Sequence, residues 1–295
     1  SRTALAKIDA MTPKPGGQPG EQLGRRSRID SLSNPLVKRL RLLREKRHRR
    51  AEGLFLAEGL RIVTEAREVG VLPRWLFLTD AAEGHRLAAD MVAAVLASGG
   101  EVVSTSAAVL AKLSGKDNPQ TVVGIYEEPR TALASIDRAR APLWLVAERL
   151  RDPGNLGTML RTGDAVGAGG LILIDECTDP YGVEAVRATM GAIFTQTLVQ
   201  ATWDEFLPWL RAGPGQLVAT ALTDDALDYQ AARYASPCFI LIGNESQGLP
   251  ADYAAAADIR VKIPMLGKAD SLNAAVAAAV MAYAVLSQRR HPGAA

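Results

Sequence analysis

The second half of this chain is built around recurring short apolar runs: Leu143–Ala147, Leu171–Ile174, Leu217–Thr220, Phe239–Ile242 and Ile259–Ile263. A strand that faces water on one side alternates apolar and polar residues. Near-continuous apolar runs are instead suited to strands covered on both faces. Runs of this kind, separated by helix-length stretches, predict a parallel sheet packed between helices. The longest apolar stretch, Leu272–Leu286, contains Asn273 and is too short to span a bilayer. It reads as a buried helix, and the chain is expected to have no membrane association.

The first half alternates as well. Leu54–Leu56, Trp75–Leu78, Val102–Val103 and Val122–Tyr126 read as strands. Gly59–Val69, Ala88–Ala97 and Ser106–Leu113 read as helices between them, so a small α/β domain is expected. Ahead of it, Asn34-Pro35 is a helix start, with Asn as cap and Pro at the first helical position. Leu36, Leu40 and Leu43 follow at helical spacing, with Lys38, Arg39, Arg41 and Arg44 between them. Residues 1–30 are rich in Pro and Gly and are expected to be a disordered tail. The divisions that follow are a first domain over 31–128, a linker over 129–142 and a second domain over 143–295.

The overall net charge of +2 decides nothing, but its distribution does. Arg25 to Arg50 holds eleven Lys or Arg against two acids, Asp30 and Glu45, so the rest of the chain is net acidic. An amphipathic basic helix over this stretch points to a polyanion, with a solvated surface as the plain alternative. Cys177 and Cys238 are too few for a metal cluster, and His48, His85 and His291 lack ligand spacing. No metal is expected, and the cysteines suit free thiols in a cytoplasmic protein. A phosphate-binding P-loop is absent, and Gly167–Gly170 precedes a strand rather than following one, which excludes a dinucleotide fingerprint.

Three polar, glycine-bearing loops adjoin the apolar runs: Asn155-Leu-Gly-Thr-Met-Leu-Arg161, Gly243-Asn-Glu-Ser-Gln-Gly248, and Ile263-Pro-Met-Leu-Gly267 leading to Ser271-Leu-Asn273. In this order and spacing they resemble the signature segments of the SpoU/TrmH family of RNA ribose 2'-O-methyltransferases. The resemblance spans roughly residues 143–288. It implies an α/β chain whose knotted, SPOUT-type parallel-sheet catalytic domain follows a small RNA-binding domain similar to ribosomal proteins. It further implies S-adenosylmethionine as methyl donor, RNA as substrate and a homodimer formed through the C-terminal domain. Ribosomal RNA of the 23S type is the expected target. Transfer RNA, or a non-catalytic RNA-binding role on the same scaffold, are the alternatives.

By the same resemblance, Thr220, Gly243, Asn244, Ile263, Pro264, Met265, Leu272 and Asn273 would line the donor pocket. Arg161 would be the catalytic arginine, with Asn155 its partner, Glu245 orienting it or fixing a nearby helix dipole, and Ser271 and Asn273 completing the site. Ser271 also fits a plain helix N-cap. A guanidinium with a pKa above about 12 is a poor proton acceptor. Arg161 is therefore better read as gripping an RNA phosphate and stabilising the developing alkoxide. Asn155 and Arg161 lie six residues apart, which is not one helical face, so Asn155 is expected in the loop or cap. Lys38, Arg39, Arg41, Arg44, Arg47 and Arg187 are the candidate RNA contacts. Thr189 stands where the family commonly has serine, and Gly163 where it usually has alanine, for which a looser helix is expected.

Overall fold

The computed structural model describes residues 23–117 and 119–293. In chain order the first elements are β1 (Arg25–Ile29), α1 (Pro35–Leu40), a 3-10 turn (Arg41–Arg44), α2 (Lys46–Glu52), β2 (Leu54–Glu58), α3 (Leu60–Glu68), β3 (Trp75–Thr79), α4 (Asp80–Glu83), α5 (Arg86–Ala97), β4 (Glu101–Thr105), α6 (Ala107–Ser114) and β5 (Val122–Glu127). They are followed by β6 (Leu143–Glu148), α7 (Pro153–Ala165), β7 (Gly170–Ile174), α8 (Val183–Thr189), α9 (Ala192–Thr195), β8 (Thr197–Ala201), α10 (Trp203–Arg211), β9 (Gln216–Thr220), β10 (Leu227–Asp228), β11 (Cys238–Ile242), α11 (Ala251–Ala256), β12 (Ile259–Lys262) and α12 (Ala274–Arg290). The chain divides into two compact units, and the division is not one of sequence halves. The first unit runs to Pro129 and also takes in Tyr181–Thr195; the second comprises Arg130–Pro180 and the chain from Gln196 onward.

In the first unit the strand order is β1-β4-β3-β5-β2, parallel through β1, β4 and β3 and antiparallel where β5 joins β3 and β2. The expected tail over 1–30 lies outside the described residues as far as residue 22. Its last part is not a tail, because Arg25–Ile29 is the edge strand β1. Its pattern is basic, and Arg25, Arg26 and Arg28 meet Glu101, Glu83 and Asp80 on the neighbouring elements. Charge on an edge strand also discourages pairing with another chain.

Asn34 caps α1 as its side-chain oxygen accepts from Leu36 N at 2.9 Å. The basic helix is not continuous, however. It tightens into the 3-10 turn after Leu40 and restarts at Lys46; Val37, Leu40 and Leu43 are buried, and Leu36 packs half-buried against the same core. Arg49 is buried here because its guanidinium donates to Leu43 O at 2.8 Å, satisfying a carbonyl that the broken helix leaves free.

The excursion Tyr181–Thr195 is held in the first unit by aromatic packing. Phe55 meets Tyr181 at 5.0 Å and Phe194 at 5.8 Å between ring centroids, and Tyr126 meets Phe194 at 4.7 Å. The turn between α8 and α9 uses Met190 at φ 48° and Gly191 at φ 96°. The positive φ at Gly191 favours glycine, and a Cβ there would also require the Glu65 carboxylate to shift.

The second unit is one seven-stranded sheet, ordered β10-β12-β9-β11-β6-β7-β8 and parallel throughout. Three adjacent strands, β11, β6 and β7, are buried at every position, as their apolar composition requires. Trp144, Phe206, Phe239 and Leu217 form the heart of the core. The stretch expected as a linker is part of this unit from Arg130 on. Leu133 and Ala141 join the core, and Arg138 stacks on Trp209 at 3.9 Å while donating to Leu210 O at 2.7 Å. The helix runs through Gly163 without a break. A Cβ there would lie 2.7 Å from Gln196 Oε1, so the buried Gln196 side chain takes the space an alanine methyl would need. No helix among the described residues is long and apolar enough to cross a membrane.

Candidate active site

The sheet order places the chemistry. From β6 the chain moves outward through β7 and β8, then returns to build β9, β12 and β11 on the other side. The crevice outside the carboxyl ends at such a reversal is where open α/β sheets bind ligands. Two loops leave β6 and β11 side by side there, 149–152 and 243–250, because Ala147 and Ile242 are register partners.

Side chains lock these loops to one another. Asn244 Nδ2 donates to Arg149 O at 2.7 Å, while its Oδ1 accepts from Ser246 N at 3.0 Å and Gln247 N at 3.1 Å. Glu245 Oε1 accepts from the backbone amides of Arg151 and Asp152, both at 3.2 Å. Glu245 therefore fixes the backbone just ahead of α7, and no hydrogen bond or ion pair joins it to Arg161 among the described residues. A carboxylate there also meets the positive end of the helix dipole, the other role considered for it. Gly243 permits the close approach: a Cβ would lie 2.5 Å from Leu249 N.

The cap of α7 is Asp152, whose Oδ1 accepts from Asn155 N at 3.1 Å, so Asn155 lies inside the first helical turn rather than in the loop. Its side chain then reaches across. Asn273 Nδ2 donates to Asn155 Oδ1 at 3.0 Å, with amide orientation assigned from the network. Asn273 Oδ1 accepts from Ala275 N at 2.9 Å and Val276 N at 3.2 Å. The N-cap of α12 is thus Asn273 and not Ser271; a cap of this type contributes about 1 kcal/mol. One pair of amides joins the starts of two helices that are 118 residues apart.

These groups surround an open cleft of about 530 Å³. Asn155, Glu245, Ser271, Leu272 and Asn273 line it, together with Arg151, Asp152 and Ala274. Sequence reasoning missed Arg151 and gave Asp152 no place in the site, although Asp152-Pro153 is a helix-start signal. Arg161 is exposed, is not in the cleft lining, and makes no hydrogen bond or ion pair among the described residues. On α7 it sits six residues beyond Asn155, about 9 Å along the axis. Beneath the loops, burial raises the Glu148 carboxyl above the ordinary range despite the Asn244 amide that donates to it, and burial pushes the Cys177 thiol up to about 11.

Thr220, Gly243 and Ile263 lie at or just past the carboxyl ends of β9, β11 and β12, which are neighbours in the sheet. Thr220 Oγ1 donates to Leu241 O at 3.3 Å. Pro264 is exposed, Met265 half-buried and Leu266 98% exposed. Among the described residues, Ile263 to Leu272 makes no backbone–backbone hydrogen bond outside the regular elements. Free N–H and C=O groups with apolar side chains between them suit an adenine edge and a ribose, and the stretch fits a nucleoside-bearing sulfonium on that ground.

The candidate RNA residues lie in the first unit. Arg39 is held by Glu52, at 2.6 Å for the shortest contact, and stacks on Trp75 at 5.4 Å. Arg187 of α8 pairs with Glu58 at 2.9 Å. Lys38, Arg41 and Arg47 have no carboxylate partner among the described residues, and Arg44 donates to Arg41 O at 3.3 Å.

Comparison with known proteins agrees with this geometry. Residues 142–283 match the SpoU rRNA methylase family, and residues 34–124 match the MRM3-like substrate binding domain. A 23S rRNA (uridine(2479)-2'-O)-methyltransferase of Streptomyces viridochromogenes is 31% identical over 92% of this chain and 95% of its own length. This chain belongs to the SpoU rRNA methylase family. The 23S rRNA (guanosine(2553)-2'-O)-methyltransferase RlmP of Bacillus subtilis is 29% identical over 86% of this chain and 97% of its own length. The crystal structure of an AdoMet-bound rRNA methyltransferase from Sinorhizobium meliloti is 39% identical, with a TM-score of 0.81 over 90% of this chain and 98% of its own. The second unit is accordingly a SPOUT-type catalytic unit, and the chain is an S-adenosylmethionine-dependent RNA ribose 2'-O-methyltransferase.

Proposed function

We propose that this chain methylates a ribose 2'-hydroxyl of 23S-type ribosomal RNA, in the cytoplasm, as a homodimer. The observation that carries the reading is the Asn155–Asn273 bridge, which brings the first and third signature segments together beside the Glu245-locked loop. The relatives named above act on large-subunit ribosomal RNA, at a guanosine in one case and a uridine in another.

When bound, S-adenosylmethionine supplies an electrophilic methyl group. The backbone of Gly243–Asn244 and Ile263–Met265, with Thr220, Leu272 and Asn273 beside it, would hold its nucleoside end. The chain's own work is positioning: a rigid cleft can supply several kcal/mol of barrier lowering by placing the 2'-oxygen correctly. Asn155 and Asn273 fix the floor, and Ser271 offers a hydroxyl at the rim. Arg161, free of partners among the described residues, is suited to grip a phosphate and stabilise the alkoxide. Lys38, Arg41, Arg44 and Arg47 supply the polyanion contacts of the first unit, whereas Arg39 and Arg187 first have to leave Glu52 and Glu58. The homodimer is supported by apolar exposure on α12, where Val276 is 48% and Tyr283 52% exposed. A knotted C-terminal path, as implied by the family likeness, belongs to the same reading.

The test is mass mapping of ribose methylation in RNA from cells lacking the gene. One 23S-type ribose should lose its methyl group, regain it with the wild-type gene and stay unmodified with Asn273→Ala. Loss confined to transfer RNA, or no loss at all, overturns the ribosomal assignment.

A further inference from the structure

The cleft presents two carboxylates, Asp152 and Glu245, to a substrate that is a polyanion. Glu245 is held by two loop amides and Asp152 caps α7, so neither can turn away without releasing the structure it maintains. Asn155 and Asn273 are joined to each other. Of the residues lining the cleft, Arg151 is the one with a cationic side chain.

Its setting is unusual for a surface arginine. The backbone amide of Arg151 donates to Glu245 Oε1 at 3.2 Å and Oε2 at 3.4 Å, and the next residues are the helix cap and a proline. The root of the side chain is therefore fixed while its end is held only by a long surface contact. The side chain is 47% exposed, and the ion pair it makes is a long one, Nη1 to Glu176 Oε1 at 3.8 Å, with a glutamate side chain that is itself 80% exposed. Such a pair contributes at most about 1 kcal/mol and exchanges readily for a better partner. A phosphodiester offers that partner, since a guanidinium matches its oxygens in a two-pronged contact.

We propose that Arg151 is an RNA-binding residue of the active site: it leaves Glu176 and takes the phosphate next to the target ribose, offsetting the two fixed carboxylates. This rests on the reading of the cleft as the place where the ribose is methylated. The contact sets substrate affinity and placement, and is separate from the role given to Arg161. Glu176 acts as a placeholder that a phosphate must displace.

The test uses the full chain, S-adenosylmethionine and 23S rRNA purified from a strain lacking the gene. Arg151→Ala should raise KM for this RNA about tenfold, leave kcat within about twofold and leave the affinity for S-adenosylhomocysteine unchanged. The slope of log affinity against log salt should fall in magnitude by about 0.7, the value for one phosphate contact. Arg151→Lys should recover most of the affinity, and Glu176→Gln should lower KM below wild type. An unchanged KM and salt slope in Arg151→Ala overturns the proposal. So does a loss of S-adenosylhomocysteine affinity that matches the loss for RNA, since that marks a merely structural residue. If wild type binds the donor product yet methylates no ribose in this RNA, the ribosomal assignment fails. The Arg151 contact is then decided by RNA-binding isotherms alone, where equal affinities and slopes for wild type and Arg151→Ala overturn it.

Discussion

In the first unit, Arg25, Arg28 and Arg39 close on carboxylates of the same surface. In the second, the carboxylates of Asp152 and Glu245 close on backbone amides. One arrangement neutralises charge, while Lys38, Arg41, Arg44 and Arg47 are some of the cations it leaves without a carboxylate partner among the described residues. The other uses side chains to freeze the main chain at Arg151, Asp152 and Asn155, beside the cleft. Binding a polymer with many phosphates tolerates mobile side chains, because the attraction is long-ranged and additive. Holding one methyl group in line with one oxygen does not.

The contrast can be broken at several points. Arg161→Ala should have the largest effect, a loss of 10²–10³ in single-turnover methylation, or about 3–4 kcal/mol; a rate within about threefold of wild type removes Arg161 from catalysis. Glu245→Ala releases two amides and should cost about 1–3 kcal/mol of stability, with S-adenosylhomocysteine affinity falling about tenfold or more; Glu245→Gln, which keeps an acceptor oxygen, should be milder in both thermal unfolding and calorimetry. Charge reversal at Arg41, Arg44 and Arg47 together should weaken RNA binding by about tenfold or more and leave donor affinity alone. If RNA affinity survives, the basic stretch is only a solvated surface.

The smallest effect concerns Glu148. Its carboxyl is raised by burial, so the folded state favours the protonated form. The stability it contributes is complete below the ordinary glutamate range, near 4.3, and declines as pH rises through the raised value. Wild type should therefore lose stability relative to Glu148→Gln as pH increases from about 4 toward neutrality, measured as the difference in Tm between the two proteins. A difference that is flat with pH refutes the shift.

Nine of the twelve described strands were readable from their short apolar runs, but the edge strands β8 and β10, at the two ends of the second sheet, were not. Nor was β1, since an edge strand made of arginines carries no such run and exists by pairing with β4. The break after Leu40 was hidden for a similar reason: the carbonyl it frees is satisfied by Arg49, a residue that looks like one more surface cation. In the site, the three loops announced themselves, but which atom each side chain would meet did not. Ser271 and Asn273 are equally good caps by type, and the structure uses Asn273 because its second amide atom can also reach Asn155. Glu245 was expected to orient a guanidinium or to fix a helix dipole, and the amides it meets at the start of α7 bear no residue-specific mark in a sequence. The allegiance of Tyr181–Thr195 was equally invisible, because the partners of Tyr181 and Phe194 are Phe55 and Tyr126, far away in the chain.

That borrowed excursion governs how the protein can be taken apart. A truncation starting at residue 130 keeps Tyr181 and Phe194 but deletes the rings that shelter them, leaving sticky aromatic surface on the fragment. The complementary fragment ending at Pro129 would bare Phe55 and Tyr126 in turn. Anyone grafting the recognition half of one relative onto the methylating half of another must move two pieces of chain, not one, and match four aromatic rings across the seams.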